Sequence, residues 1–253
     1  MADLRNFQTR AQTGELIDQG LRTYMLKVYN LMALGLAITG IAAYGILALT
    51  TTNDPASAAA TVHGTLLTSA GVAIYGSPLR WVVMLAPLAA VFFLSFRINS
   101  MSVSAARTTF LVYAALVGLS LSSIFLVYTT GSVVQTFFIT AASFGALSLY
   151  GYTTKRSLSG MGSFMMMGLF GLILASLVNI FMQSSALQFA ISAIGVLVFA
   201  GLTAYDTQRI KELYFEADNS DVAGRKAIMG ALTLYLDFIN LFMFLLQFMG
   251  NRK

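Results

Sequence analysis

The chain lacks cysteine altogether and has a single histidine, His63, among its 253 residues. Without cysteine, disulfides, thiolate metal sites and thiol nucleophiles are excluded. A lone histidine cannot build a histidine metal cluster, and His63 falls in a predicted loop far from the acidic residues that could assist it. The motifs of serine hydrolases, zinc proteases and phosphate-binding loops are also missing. The sequence therefore predicts neither an enzyme nor a resident cofactor.

Charge is equally scarce, since only 10% of the residues are Asp, Glu, Lys or Arg, against about 25% in soluble domains. Hydrophobic residues make up 57% of the chain, and the mean hydropathy is +0.77. These values are typical of a membrane protein whose first partner is the lipid bilayer. The net charge of +5 does not indicate nucleic-acid binding, because the basic residues lie in loops between apolar segments.

Long stretches without charge predict the transmembrane segments. No charged residue occurs between Arg107 and Lys155, or between Arg156 and Asp206. A helix needs about 20 residues to cross the hydrocarbon core, so each stretch holds two crossings. We predict an all-α integral membrane protein with seven spans, at residues 25–50, 79–96, 108–128, 133–152, 162–183, 186–206 and 227–250.

The ends of the chain are predicted to be short tails, residues 1–24 and 251–253, around one transmembrane domain at 25–250. The first tail is no secretory signal, because its apolar continuation is a full span. The sequence leaves open whether this tail is a short interfacial helix, with Leu16, Ile17, Leu21 and Tyr24 on its apolar face, or a loosely ordered segment.

Lysine and arginine in short loops predict the orientation. They occur in the first tail and in the loops after spans 2, 4 and 6, whereas the loops after spans 1, 3 and 5 have only Arg80 at one edge. The N-terminus is therefore expected in the cytoplasm and the C-terminus outside. Arg252 and Lys253 oppose that placement of the C-terminus, which leaves a six-span alternative with a re-entrant last segment.

Asp237 lies near the middle of the last predicted span. An ionised group there costs about 2.5–3.5 kcal/mol on insertion scales, and intramembrane charges usually serve a function. Helical spacing places Thr233, Asn240 and Gln247 close to the same line as Asp237. These four residues form a narrow polar stripe on an otherwise apolar helix. We interpret the last span as a central helix, with Thr233, Asn240 and Gln247 as candidates for lining a pore.

Asp206, at the end of span 6, is the other acidic residue within an apolar span. If the last span begins in the cytoplasmic headgroup layer or is tilted, Asp206 and Asp237 can meet. Two carboxylates in contact would share one proton and respond to pH, and their oxygens suit Ca²⁺. The alternatives are an interfacial Asp206 paired with Arg209, and an Asp237 that makes one structural interhelical hydrogen bond.

Three further polar residues accompany this pair in the sequence. Arg97, at the inner end of span 2, is either a counter-charge that binds a carboxylate in bidentate fashion or an ordinary basic flank. Asn179 and Gln183 on span 5 either line the same cavity or mark its outer end.

Two segments carry a resemblance to a known family. AYDTQRI at residues 204–210 and LYLDFINLFMFLLQFMG at residues 234–250 resemble the signatures of the transmembrane Bax inhibitor motif family, particularly its bacterial members. The resemblance extends over about residues 16–250. It implies a central seventh helix ringed by six others, placed in a bacterial inner membrane.

The resemblance also implies a function. Family members are associated with a pH-sensitive calcium leak, and the family's two buried aspartates fall on Asp206 and Asp237, its latch arginine on Arg97. In this first hypothesis Ca²⁺ is the transported or transiently bound ion. Some proteobacterial relatives act on a membrane-anchored quality-control protease. This gives a second hypothesis, a non-conducting modulator of such a protease or of a stress-response partner. A third, an intramembrane aspartyl protease, is weakest because the second glycine motif of such enzymes is missing.

Overall fold

In a computed structural model, the protein is described at residues 2–62 and 64–253, with side chains from residue 19 onward. His63 and the side chains of Leu16 and Ile17, which the sequence analysis singled out, lie outside the described residues. The described elements are α1 (Ala2–Thr50), β1 (Thr51–Thr52), β2 (Ala60–Val62), β3 (Thr65–Leu67), α2 (Ser69–Gly71), α3 (Leu79–Arg97), α4 (Val103–Leu121), α5 (Ile124–Val127), α6 (Thr130–Thr153), α7 (Ser159–Met182), α8 (Ser185–Glu212) and α9 (Ser220–Met249). The backbone of the predicted N-terminal tail thus belongs to α1.

Seven of the described segments are long and apolar enough to cross a membrane, which confirms the predicted fold class. Several begin where a short polar side chain accepts a hydrogen bond from the first helical turn, and such caps satisfy backbone N–H groups that have no partner within the helix. The capping residues are Ser102, Thr129, Ser184 and Asn219. The polar residues between the apolar segments therefore define where the spans start.

The loop between the first two spans contains a small antiparallel sheet in the order β1-β3-β2. Thr51 pairs with Leu67, and Ala60 pairs with the same residue from the other side. The sequence analysis predicted only a loop here. Strands of two or three residues are too short to show an alternating apolar pattern, so the sequence gives no sign of them.

Helix α9 is the centre of the bundle. In its most apolar stretch 61% of the residues are buried, whereas the corresponding fraction is 11% for α3 and 6% for α7. Its main packing partners are α1, α4, α6 and α8, whereas α3 packs on α4 and α7 packs on α8. The predicted central position of the last span is therefore confirmed, with four helices in direct contact and two packed outside them.

The last helix crosses the bundle from one end to the other. Near its start, Arg225 Nη1 donates to the Met101 carbonyl oxygen (3.4 Å) in the loop after α3. Just beyond its end, Asn251 N donates to Ser132 Oγ (2.9 Å) at the start of α6, and Lys253 Nζ donates to the Phe125 carbonyl oxygen (2.7 Å). Thirty residues of helix extend about 45 Å. This geometry supports seven crossings over the six-span alternative.

A buried hydroxyl pair fastens α9 to α1. Tyr235 is fully buried, and its hydroxyl hydrogen-bonds Thr39 Oγ1 at 2.7 Å. Thr39 Oγ1 also lies 2.9 Å from the Ala114 carbonyl oxygen of α4. The rings of Phe110 and Tyr113 meet the Tyr235 ring edge-on. Three helices, α1, α4 and α9, are therefore joined at one point.

Replacing this tyrosine should separate its hydrogen bond from its packing. We expect Tyr235→Phe to lower the free energy of unfolding by only about 1 kcal/mol, because Thr39 keeps its carbonyl acceptors. Tyr235→Ala should cost about 3–5 kcal/mol, because it also removes a buried ring. Thermal unfolding in detergent measures both. Tyr44→Phe, at an exposed position of α1, is the control, and an equal loss there would contradict the assignment.

Candidate functional site

The two intramembrane carboxylates meet in the structure. Asp206 lies in the last turns of α8 and Asp237 in the middle of α9, and their carboxyl groups are within hydrogen-bonding reach of each other. They meet because α9 begins at Ser220, earlier than the apolar segment that starts near Ala227. The last helix therefore starts before its apolar segment, as the expectation that the two acids can meet requires.

The pair is shielded unequally. Asp237 is only 5% exposed, and its Oδ2 atom is sealed from solvent without a donor N–H or O–H group among the described residues. Asp206 is partly buried, with the positive charge of Arg209 acting on it. An unsatisfied buried carboxylate oxygen is costly in a low-dielectric interior. A proton held between the two carboxyl groups, or a cation, would supply the missing partner.

Neither arginine considered in the sequence analysis forms an ion pair with the carboxylates. The ion pair found among the described side chains joins Lys226 to Asp218. Arg209 and Arg97 are both exposed. Asp206 therefore contacts Asp237 rather than a basic partner, and the role of Arg97 as a latch stays a prediction.

The residues of the predicted polar stripe on α9 make different kinds of hydrogen bond. Thr233 Oγ1 donates to the Met229 carbonyl oxygen (3.0 Å), and Asn240 Nδ2 donates to the Leu236 carbonyl oxygen (2.8 Å). Both side chains therefore form hydrogen bonds within α9. Gln247 instead reaches α8. The proposed pore-lining role of Thr233, Asn240 and Gln247 stays a prediction.

A network of amides joins three helices at the end of the bundle where α7 ends and α8 begins. Asn179 Nδ2 donates to Gln188 Oε1 (3.1 Å), and Gln188 Nε2 donates to Gln247 Oε1 (2.9 Å). Ser192 Oγ lies 3.4 Å from the same Gln247 oxygen. Gln183 ends α7 in a left-handed conformation, with φ of 48°. Asn179 and Gln183 therefore lie at the end of the bundle where α7 meets α8, and Asp206 lies near the opposite end of α8. Gln188 and Ser192 complete a network that sequence patterns did not indicate.

A second network, also missed, consists of hydroxyl groups near the acidic pair. Tyr29 Oη hydrogen-bonds Ser148 Oγ (2.8 Å), and Ser148 Oγ hydrogen-bonds Thr207 Oγ1 (2.9 Å). These contacts join α1, α6 and α8 next to Asp206. Residues so far apart in the chain give no spacing signal, so sequence patterns alone could not have identified them.

The acidic pair offers a metal ion few protein ligands. Among the described residues, no group of three or more His, Cys, Asp or Glu side chains could hold a metal ion. Ca²⁺ prefers six to eight oxygen ligands, so two carboxyl groups would need water or carbonyl oxygens to complete its shell. The expectation that Ca²⁺ is a transported or transiently bound ion, and not a cofactor, stays a prediction.

Comparison with known proteins assigns the chain to a group. Residues 21–253 match the Bax1-I family, described as inhibitor of apoptosis-promoting Bax1. The inner membrane protein YbhL of Escherichia coli K12 is 47% identical over 236 residues, which cover 92% of this chain and 94% of YbhL. A Rickettsia prowazekii protein is 47% identical over the full length of both chains, and a Deinococcus radiodurans protein is 40% identical over 99% of each.

Proposed function

Because the chain belongs to the Bax1-I family of Bax inhibitor proteins and is a multi-pass membrane protein, we propose that it conducts calcium or related cations as a pH-sensitive leak. The observation that supports this most directly is the contact between Asp206 and Asp237 inside the bundle. Acidic groups are costly in such a place and are usually retained for ion or proton handling.

The proposed mechanism is a competition between protons and cations for the same oxygens. Two carboxyl groups in contact share one proton, because two adjacent negative charges in low dielectric repel strongly. When that proton leaves, the pair gains a negative charge that attracts Ca²⁺. Arg209, which acts on Asp206 from the exposed end of α8, moderates this attraction. The apparent affinity for calcium should therefore increase with pH.

The proposed membrane is inferred from a relative, and the proposed orientation from the distribution of basic residues. YbhL is an inner membrane protein, and we place this chain in the same kind of membrane. The basic loops after α3, α6 and α8 would face the cytoplasm with the N-terminus. The acidic pair would then lie nearer the cytoplasmic side, and the amide network of Asn179, Gln188 and Gln247 nearer the outside.

Reconstitution of the purified chain into liposomes that contain a calcium dye tests the proposal. We expect calcium flux above that of protein-free liposomes. The calcium concentration for half-maximal flux should fall by up to about tenfold per pH unit while one proton competes with the ion. Flux equal to that of empty liposomes at every pH would refute conduction and favour the alternative, a non-conducting modulator of a membrane protease.

A further inference from the structure

A long groove runs between α1 and α6, which do not pack closely on each other. Its inner part has a volume of about 710 Å³, and the groove is open along one side. The wall is mostly apolar, made by Met25, Leu26, Met32, Ala33, Phe144 and Leu149. A cleft of this size and character is large enough for one hydrocarbon chain.

Polar and cationic groups are concentrated at one end of the groove. Arg22 and Tyr152 line it there. Lys211 Nζ donates to the Tyr152 carbonyl oxygen (2.7 Å) and lies 5.7 Å from the centre of the Tyr152 ring. One basic side chain, Arg22, thus lines this end of the groove, and a second, Lys211, lies against Tyr152 from α8. This charge is complementary to an anionic headgroup.

The deeper part of the groove offers no free polar group to a ligand. Its hydroxyls, Tyr29 and Ser148, are hydrogen-bonded to each other, and Ser148 is bonded on to Thr207. A sugar or a nucleotide would lose its hydrogen bonds to water there without replacement, which is unfavourable. An apolar chain loses none.

The length of the inner groove matches one leaflet of a bilayer. From Arg22 to Ala33 the helix rises about 16 Å, and half of a hydrocarbon core is about 15 Å. A second cavity of about 520 Å³ continues along α1 from Leu36 to Tyr44. The cationic mouth therefore lies where the headgroups of the inner leaflet would be, and the apolar part lies where their acyl chains would be.

We propose that this α1–α6 groove is a binding site for an anionic phospholipid of the surrounding bilayer. One acyl chain lies between α1 and α6 along Met25, Ala33 and Phe144, and the headgroup phosphate contacts Arg22 and Lys211 at the mouth. The proposal depends on the groove alone and holds whether or not the chain conducts calcium.

Photo-labelling of the full chain in liposomes tests this site. The probe is phosphatidylglycerol with a diazirine in one acyl chain, and the labelled residues are mapped by mass spectrometry. We expect labels concentrated on residues 22–33 and 144–152. Gly145→Leu should reduce them about tenfold, because Gly145 lines the groove and a side chain there projects into open space. Gly171→Leu is the matched control, since Gly171 is exposed on α7 and equally unobstructed.

The headgroup part of the site has its own test. Arg22→Gln should reduce the preference for labelled phosphatidylglycerol over labelled phosphatidylcholine, with labelling still in the groove. Even labelling around the whole bundle, unchanged by Gly145→Leu, would overturn the proposal. Crosslinks between α1 or α6 and a second protein chain that Gly145→Leu abolishes would overturn it too, because the occupant would then be a protein.

Discussion

Asp237→Asn is expected to reduce calcium flux in liposomes by about 10- to 100-fold and to abolish its dependence on pH. Asparagine has nearly the shape of aspartate, so the buried helix α9 should still pack. The loss comes from the negative charge, since contacts with a charged group are worth about 1.5–3 kcal/mol and each 1.4 kcal/mol is a factor of ten. Flux at several pH values measures both effects.

The partner residue shows whether the two acids act as a unit. Asp206→Asn should also abolish the pH dependence, because a proton can be shared only between two acids. The double variant should then be no worse than Asp237→Asn alone, as is usual for groups that act together. Additive losses would contradict the shared site.

A matched control separates this effect from a general change of charge. Asp221 lies exposed in the first turn of α9, so Asp221→Asn removes the same charge from the same helix outside the bundle. We expect its flux and pH profile to equal those of the unmodified chain. If Asp221→Asn reduces flux as strongly as Asp237→Asn, surface attraction of the ion, and not the buried pair, explains the conduction.

The number of spans and the position of the two acids could be predicted because both depend on where charge is missing. Helices α6 and α7 contain no charged residue, and α4 contains only Arg107 near its start, so the hydropathy pattern finds them. A buried Asp237 on a central last helix follows from the same scarcity, because a charge survives in an apolar segment only where other helices cover it.

The residue pattern predicted the contact between Asp206 and Asp237 only conditionally, because the contact depends on where α9 begins. Asp221, Arg225 and Lys226 make the first turns of α9 look like a loop on a hydropathy scale. The signal for the true start was local: Asn219 caps the helix by accepting from Val222 N at 2.8 Å, and such a cap can be recognised in sequence. This cap predicts that α9 starts at Ser220, ahead of its apolar segment.

The polar networks could not be predicted for a different reason. Tyr29, Ser148 and Thr207 lie on α1, α6 and α8, and Asn179, Gln188 and Gln247 lie on α7, α8 and α9. Each residue alone resembles the ordinary polar content of a membrane helix. Only the relative rotation and depth of the packed helices bring them together, and side-chain spacing along one helix does not specify these.

Gly151→Ala is expected to destabilise the bundle by about 1–3 kcal/mol, the usual cost of overpacking. A Cβ atom at Gly151 would collide with the backbone at Ala204, whose carbonyl oxygen lies in its place. Backbone cannot move aside as a side chain can, so α6 and α8 must separate. Ala204 is two residues before Asp206, so the same displacement of α8 should move the Asp206 carboxyl group away from Asp237. We therefore expect a lower unfolding temperature in detergent and a weaker pH dependence of flux.

Gly145→Ala on the same helix is the control for this prediction. An added Cβ at Gly145 meets no atom within 4 Å, so the helix gains the favourable propensity of alanine over glycine, about 0.5–1 kcal/mol. The two glycine-to-alanine substitutions should thus change the free energy of unfolding in opposite directions, because only Gly151 lies where two backbones touch. If Gly151→Ala stabilises the chain as much as Gly145→Ala does, α6 and α8 are not in backbone contact, and the close approach that sets the position of Asp206 against Asp237 does not exist.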